Sequence, residues 1–290
     1  MLSLEFFTQL EEIVGAVNFF RDDASLSAYS ADKSENKGSV DVAVRPRTVT
    51  EVASVARLCN ESHVPLTVRG AGTGYTGGAV PIHGGVVMSM ERFTRVIEID
   101  EMNLLAIVEP NVITGDLQRT VEGVGLFYPP DPASLNQSVI GGNVAECAGG
   151  PRAFKHGTTK NYVLGLEAVL PTGEVVKTGG KTIKNVVGYD LTKLIVGSEG
   201  TLAIITKVIL RLIPKPRSRE TLRATFTSID SAVKAVVGLI QERIIPAAME
   251  LIDQKSLDAV AQYLEDRTLA PDGTAALLLI EVDGTEVAVG

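Results

Sequence analysis

Basic charge, sulfur and histidine are all scarce in this sequence, and tryptophan is absent. Of 290 residues, 27 are Lys or Arg against 35 Asp or Glu, a formal net charge of -8. Such a balance argues against nucleic-acid partners, because sequence-independent binding needs a basic face to neutralise phosphates. Cysteine occurs only as Cys59 and Cys147, with no C-x-x-C pair. Neither a disulfide framework nor a thiolate zinc site is therefore expected. Both cysteines should behave as small buried hydrophobes, and their rarity suits a reducing compartment. The histidines, His63, His83 and His156, lie far apart and form neither H-x-H nor H-E-x-x-H, so no metal site is expected. Long apolar runs are missing too. The best, Thr201 to Leu212, is broken by Lys207 and Arg211 and falls short of the roughly 18 residues of a membrane span. The N-terminus lacks the basic start of a signal peptide and soon meets Glu11 and Glu12. The expected location is the cytoplasm, with docking on a membrane-bound partner left open.

What is present is ordinary for a globular chain: 45% hydrophobic and 21% charged residues. At roughly 150 residues per domain, about two domains are expected. Apolar spacing and breakers predict helices at Leu4 to Val14, at Thr50 to Glu61 with Thr50 as N-cap, and at Thr114 to Glu122. Strands are expected at Asp41 to Val44, Pro65 to Val68, Val86 to Met88, Val96 to Ile99 and Leu104 to Val108. Gly165 to Val176 reads as a hairpin turning at Pro171 to Gly173, and Leu202 to Leu212 as a long strand. Pro214-Lys-Pro216 is the natural domain boundary. Beyond it the pattern is β-α-β-α-β: Leu222 to Phe226, Ser231 to Arg243, Ala247 to Ile252, Ser256 to Glu265 and Ala275 to Val282. The chain stops just after that last strand. An exposed edge there would be a liability, so a fragment of a longer protein is expected.

Three glycine-rich segments carry the chemistry. The first, Arg69-Gly-Ala-Gly-Thr-Gly-Tyr-Thr-Gly-Gly78, allows close backbone approach. Its successive N–H groups can form a nest for phosphate oxygens, with Arg69, Thr73 and Thr76 as added donors. Gly72, Gly74 and Gly77 match G-x-G-x-x-G after a strand, but Ala79 to Gly85, with Pro81, cannot open the helix that a Rossmann site requires. There is no Gly-Lys-Ser/Thr, which excludes a P-loop. By itself the loop is a weak signal, and a mere turn between strands is the lesser, competing reading. The second segment runs through Pro129-Pro-Asp-Pro-Ala-Ser134 and Ser138 to Gly150. In it, Gly141-Gly-Asn143 could open a short helix facing an anion, ended by Gly149-Gly150. The third is Val196-Gly-Ser-Glu-Gly-Thr-Leu202. Their spread suggests one extended ligand such as a dinucleotide.

The ordered set RGAGTGYTGG, PPDPAS, IGGNVAECAGG, GYDLTKL and GSEGT resembles the FAD-binding domain of the vanillyl-alcohol oxidase/p-cresol methylhydroxylase type, and within it the glycolate oxidase FAD-linked subunit and D-lactate dehydrogenase group. The resemblance runs from about Val42 to the end. It implies an α+β fold: a two-subdomain FAD-binding domain over 1–217, then over 218–290 the start of an α+β cap, or substrate, domain. By likeness, Arg69, Gly70, Ala71, Gly72, Thr73, Gly74 and Gly77 hold the FAD pyrophosphate. Pro130, Asp131, Ser134 and Ser138 sit near the flavin and ribityl chain. Gly141, Gly142, Asn143, Ala145, Gly149, Gly150 and Gly157 line the flavin and pyrophosphate, and Glu199, Gly200 and Ile204 lie toward the adenosine. No histidine stands in the first loop, so the FAD is expected to be non-covalent. The implied reaction is oxidation of a small D-2-hydroxy acid, with an iron–sulfur, quinone or cytochrome acceptor subunit as the electron partner. A flavin-binding electron-transfer subunit without catalysis of its own is the alternative. The resemblance places the substrate groups in a C-terminal part outside this sequence, so no catalytic residue is assigned. Arg152 and Lys155 are local candidates for a substrate carboxylate, although basic loop residues are usually solvated. Three departures stand out: His156 where relatives commonly have Tyr, Asn111 where Gly is frequent, and Ala203 where Gly is usual. A positive φ at the last two would give the departures a cost.

Overall fold

The computed structural model describes residues 2–266, 268, 271 and 273–289. Along the chain these form α1 (Leu4–Val14), β1 (Phe19–Phe20), α2 (Asp23–Ser27), β2 (Val42–Val44), α3 (Val49–Glu61), β3 (Leu66–Arg69), β4 (Val86–Ser89), β5 (Val96–Asp100), β6 (Leu105–Val108), α4 (Thr114–Glu122), β7 (Leu126–Phe127), α5 (Ile140–Glu146) and α6 (Ala153–His156). There follow β8 (Val163–Val169), β9 (Val175–Gly179), α7 (Leu191–Ile195), β10 (Ile204–Arg211), β11 (Ile213–Pro214), β12 (Ser218–Phe226), α8 (Ile229–Gln241), β13 (Ala248–Asp253), α9 (Gln254–Tyr263), β14 (Ala276–Gly284) and α10 (Glu286–Val289). They fall into two units. The first comprises residues 1–128, 132–148 and 158–214; the second comprises 129–131, 149–157 and 215–290.

The first unit holds two sheets. In one, β2 and β3 both run parallel to β4, which lies between them, and β1 closes an edge antiparallel. β2 (Val-Ala-Val) and β4 (Val-Val-Met-Ser) are buried at every position, as a parallel strand covered on both faces must be. On one face Val42, Val44, Val86 and Met88 pack against Phe6, Phe7 and Leu10 of α1 and Val52, Val55 and Cys59 of α3. On the other, Ala43 and Val87 meet Leu26. The second sheet is antiparallel, in the order β5-β6-β10-β8-β9. Its core joins Val108, Leu166, Val208 and Leu210 to Leu117 and Val121 of α4 and Ile140 and Val144 of α5. Helices packed on two sheets give the mixed α+β class that was expected.

The second unit is one antiparallel sheet, β12-β14-β13, with α8 between β12 and β13 and α9 between β13 and β14. The β-α-β-α-β order is as read from the sequence, but the edge is not. β14 pairs along its length with β12 on one side and β13 on the other, so the last strand is the middle of the sheet and the edges are β12 and β13.

Two local readings are corrected. The cap of α3 is Thr48, whose hydroxyl accepts the Glu51 N–H at 3.2 Å, and Thr50 falls inside the first turn. The second glycine pair does not end α5. That helix stops at Cys147, which adopts the left-handed conformation at φ 52°, while the Ala148 N–H returns to Asn143 O at 2.8 Å. Among the described residues with positive φ, neither Asn111 nor Ala203 appears, so neither departure from the family pattern carries a backbone cost.

Candidate functional site

The first glycine-rich segment leaves β3 as an irregular loop, and no helix follows it. Gly72 and Gly77 take φ of +66° and +85°, conformations that L side chains resist. Lys33 N–H donates to Gly74 O at 3.1 Å and Val80 N–H to Gly77 O at 3.0 Å, which ties the loop down through its carbonyls. Its own N–H groups are left over. From Ala71 to Gly77, none donates to another group among the described residues. A run of backbone donors with no internal partner suits anion capture.

Opposite the loop stands α5. A buried network fixes it: Asn143 Nδ2 donates to Thr114 Oγ1 at 2.6 Å, and Thr114 Oγ1 lies 3.1 Å from Ser138 Oγ. The third glycine segment docks on the end of the same helix, where Gly197 N–H donates to Val144 O at 3.0 Å and Glu199 N–H to Ala145 O at 2.9 Å. Glu199 adopts φ +54° to make that turn, a left-handed conformation that costs a non-glycine residue about 1 kcal/mol.

The three segments enclose a cavity of about 350 Å³ within the first unit, inside the range of small-molecule and cofactor sites. Gly70, Ala71, Gly72, Thr73, Gly74, Ser134, Gly141, Gly142, Asn143, Ala145, Glu199, Gly200 and Ile204 line it. Two of these glycines leave no room for a larger residue. A Cβ on Gly70 would come 2.7 Å from Val139 Cγ2, and one on Gly141 would come 2.5 Å from Pro110 Cβ. Backbone thus packs directly on Val139 and Pro110 at these two points of the wall, and a phosphate-bearing dinucleotide fits the donor set.

Other expected site residues fall elsewhere. Arg69, Gly77 and Ser138 belong to the first unit without forming the cavity wall. Arg69 is half-buried; burial lowers its pKa against the opposing pull of Asp32. Ser138 is spent in the network beneath α5. Pro130, Asp131, Gly149, Gly150 and Gly157 belong to the second unit. There Gly150 lies against Asp131, where a Cβ would meet the Asp131 carbonyl oxygen at 2.2 Å. Conversely, Asp32, Glu146, Met90 and Pro110 line the cavity although no spacing in the sequence places them there, and so does Thr76, one of the expected extra donors. Thr76 carried a signal, a hydroxyl inside the glycine run, and Glu146 sits within the second segment. Asp32 and Met90 carried none. The Thr76 hydroxyl donates to the Glu146 carboxylate at 3.0 Å. Burial raises the pKa of Glu146, Thr76 opposes this, and Glu199 and Asp32 add to it.

The basic run before Gly157 is not a solvated loop. Within the second unit, Arg152 Nε lies 3.4 Å from Asp131 Oδ2 and 3.6 Å from Glu281 Oε1, with its side chain only 16% exposed. Lys155 Nζ pairs with the Asp283 carboxylate and donates to Asp283 O at 2.7 Å. His156 Nε2 makes a hydrogen bond to Asp283 Oδ2 at 3.0 Å. Burial would raise the Asp283 pKa, but Lys155 and His156 outweigh it and hold the carboxyl below its usual range.

Comparison with known proteins agrees with this geometry. Residues 40–179 match the FAD binding domain and residues 215–289 the C-terminal domain of FAD linked oxidases. The chain is 44% identical over 285 residues to the glycolate oxidase subunit GlcD of Bacillus subtilis, a match covering 98% of this chain and 60% of that protein. It is 40% identical over 239 residues to a D-lactate dehydrogenase of Archaeoglobus fulgidus, covering 82% of this chain and 53% of that one. The chain therefore spans only somewhat more than half the length of these relatives. Among solved structures, p-cresol methylhydroxylase with substrate bound superposes with a TM-score of 0.81 at 20% identity, covering 98% of this chain and 61% of that chain. An alkyldihydroxyacetonephosphate synthase does so at 0.84 and 21%, covering 100% and 59%. A glycine-lined cavity free of any Rossmann helix, the two matched domains and these likenesses converge: the chain belongs to the FAD-linked oxidases, with an FAD-binding domain of the p-cresol methylhydroxylase type.

Proposed function

We propose that this protein is the FAD-holding portion of an oxidoreductase that oxidises a D-2-hydroxy acid, glycolate or D-lactate. The observation that carries the reading is the cavity at which three glycine-rich segments meet beside a run of backbone N–H groups with no partner among the described residues. In this reading residues 1–217 hold the cofactor and 218–290 belong to the substrate domain. The loop from Arg69 to Gly77 binds the pyrophosphate through its N–H groups. Ser134, Gly141, Gly142, Asn143 and Ala145 take the ribityl and flavin side. Glu199, Gly200 and Ile204 take the adenosine side. Attachment is non-covalent, since the first loop offers no histidine. When bound, the flavin supplies the hydride acceptor, N5; the protein supplies binding, orientation and exclusion of water. The names of the relatives, glycolate oxidase subunit and D-lactate dehydrogenase, support this substrate class. The word subunit supports a separate electron-acceptor partner, an iron–sulfur, quinone or cytochrome protein. A cytoplasmic location, which low cysteine use suits, is part of the same reading.

A second reading, a flavin-binding subunit that only transfers electrons, draws support from one observation. Arg152 and Lys155, the local candidates for a substrate carboxylate, are already engaged by Asp131, Glu281 and Asp283. The visible spectrum of the purified, desalted protein comes first. Flavin bands are expected, with the flavin released on acid denaturation, and a protein that stays colourless after adding FAD overturns the assignment. Anaerobic glycolate or D-lactate should then bleach the flavin of the whole protein. Flavin that no 2-hydroxy acid bleaches selects the electron-transfer reading.

A further inference from the structure

The carboxylates of the cavity are surplus to a site for a doubly charged diphosphate. Asp32, Glu146 and Glu199 all line it, from three different segments. A Cβ on Gly78 would lie 3.0 Å from Glu146 Oε1 and 3.9 Å from Glu199 Oε2, so both acids face the same side of the glycine loop. The cation beside them is Arg69, whose guanidinium is turned toward Gly72 and donates to Ala79 O at 3.4 Å. The Thr76 hydroxyl, the side-chain donor at the loop's far end, has a single hydrogen. That hydrogen is directed at Glu146, whose two carboxylate oxygens stand 3.0 and 3.1 Å from Thr76 Oγ1. While Glu146 is ionised, Thr76 shows only lone pairs to an incoming phosphate.

We propose that FAD binding is coupled to the uptake of one proton by Glu146, which frees the Thr76 hydroxyl to donate to a phosphate oxygen of the ligand. The proposal rests on the assignment of FAD to this cavity. A proton from solvent adds to a Glu146 carboxylate oxygen. The neutral acid then donates to Thr76 Oγ1, reversing the hydrogen bond, and the hydroxyl hydrogen swings to the ligand; no covalent bond is made or broken elsewhere. The arrangement favours this step before ligand arrives, because partial burial and the nearby Glu199 and Asp32 raise the Glu146 pKa. A dianion entering the cavity penalises the ionised form further. Glu146 is thereby a positioning residue, acting on the ligand through Thr76.

The test measures FAD affinity of the purified protein from pH 5.5 to 8.5 by flavin fluorescence, with proton uptake read by calorimetry in two buffers of different ionisation enthalpy. The expected result is uptake approaching one proton, and a Kd that rises with pH toward tenfold per unit. Glu146→Gln, whose amide can donate to Thr76 permanently, should bind FAD with little pH dependence and more tightly than the parent at pH 8.5. Thr76→Val should weaken binding and flatten the profile, while Thr76→Ser should restore both. FAD binding by the parent without proton uptake, or an unchanged slope in Glu146→Gln or Thr76→Val, overturns the proposal alone. A parent that binds no FAD at any pH overturns the cofactor assignment and this coupling with it.

Discussion

Two segments that look alike in sequence meet opposite fates. Arg69 to Gly78 and Arg152 to Gly157 both begin with arginine, sit among glycines and carry hydrogen-bond donors. In the first, the backbone N–H groups from Ala71 to Gly77 find no partner among the described residues, and the segment walls a cavity. In the second, the polar groups are side chains, and Arg152, Lys155 and His156 are each matched to a carboxylate of the same unit. Glycine and positive charge do not by themselves mark a ligand site. What separates the two segments is whether their donors are satisfied.

Removing the carboxylate on which Lys155 and His156 converge should give the largest effect. Asp283 has a side chain 1% exposed between Lys155 and His156, and Asp283→Ala should cost about 3–5 kcal/mol, as for a buried charge cluster stripped of one partner, read as a lowered urea midpoint. Acid tests the same group with a defined sign. The folded pKa of Asp283 is lowered, so its stabilisation is present above the unfolded value of about 3.9 and is lost as pH falls below it. Asp131 has the opposite shift, raised by burial against Arg152, and its contribution is lost as pH rises. Urea midpoints at pH 3 and pH 7 should therefore diverge less in Asp283→Asn than in the parent. In the first segment's cavity, Gly141→Ala forces its new methyl against Pro110. It should cost about 1–3 kcal/mol through overpacking and lower flavin retention after desalting. Equal flavin content in the variant would detach the cavity from the cofactor. Smallest is Thr48→Ala, which removes the α3 cap and should cost about 1 kcal/mol, while Thr50→Ala stays within about 0.5 kcal/mol. The reverse order would restore Thr50 as the cap.

Much of the fold was legible because periodicity and breakers act locally. Leu4–Val14 and Thr114–Glu122 stand at their expected bounds, since each is a short amphipathic run between strong stop signals. Helix caps were less legible: Thr48 and Thr50 are chemically equivalent, and only the backbone path selects between them. The glycine loop could be located but its partners could not. Asp32 and Met90 reach the cavity wall from distant segments, and no spacing rule links them to Gly70. His156 and Asp283 are similarly remote in sequence, and their pairing depends on strand order.

That order has a consequence during synthesis. β12 and β13 leave the ribosome well before β14, yet neither pairs with the other; each takes its ladder from β14 alone. Until residue 284 emerges, two strands with unmet backbone groups must wait beside α8 and α9. The second unit therefore cannot acquire its sheet progressively from the N-terminal side. Its native pairing is all non-local, a topology associated with slow folding and exposure to aggregation, and the nascent chain is most vulnerable to mispairing and chaperone capture in the interval between β12 and β14.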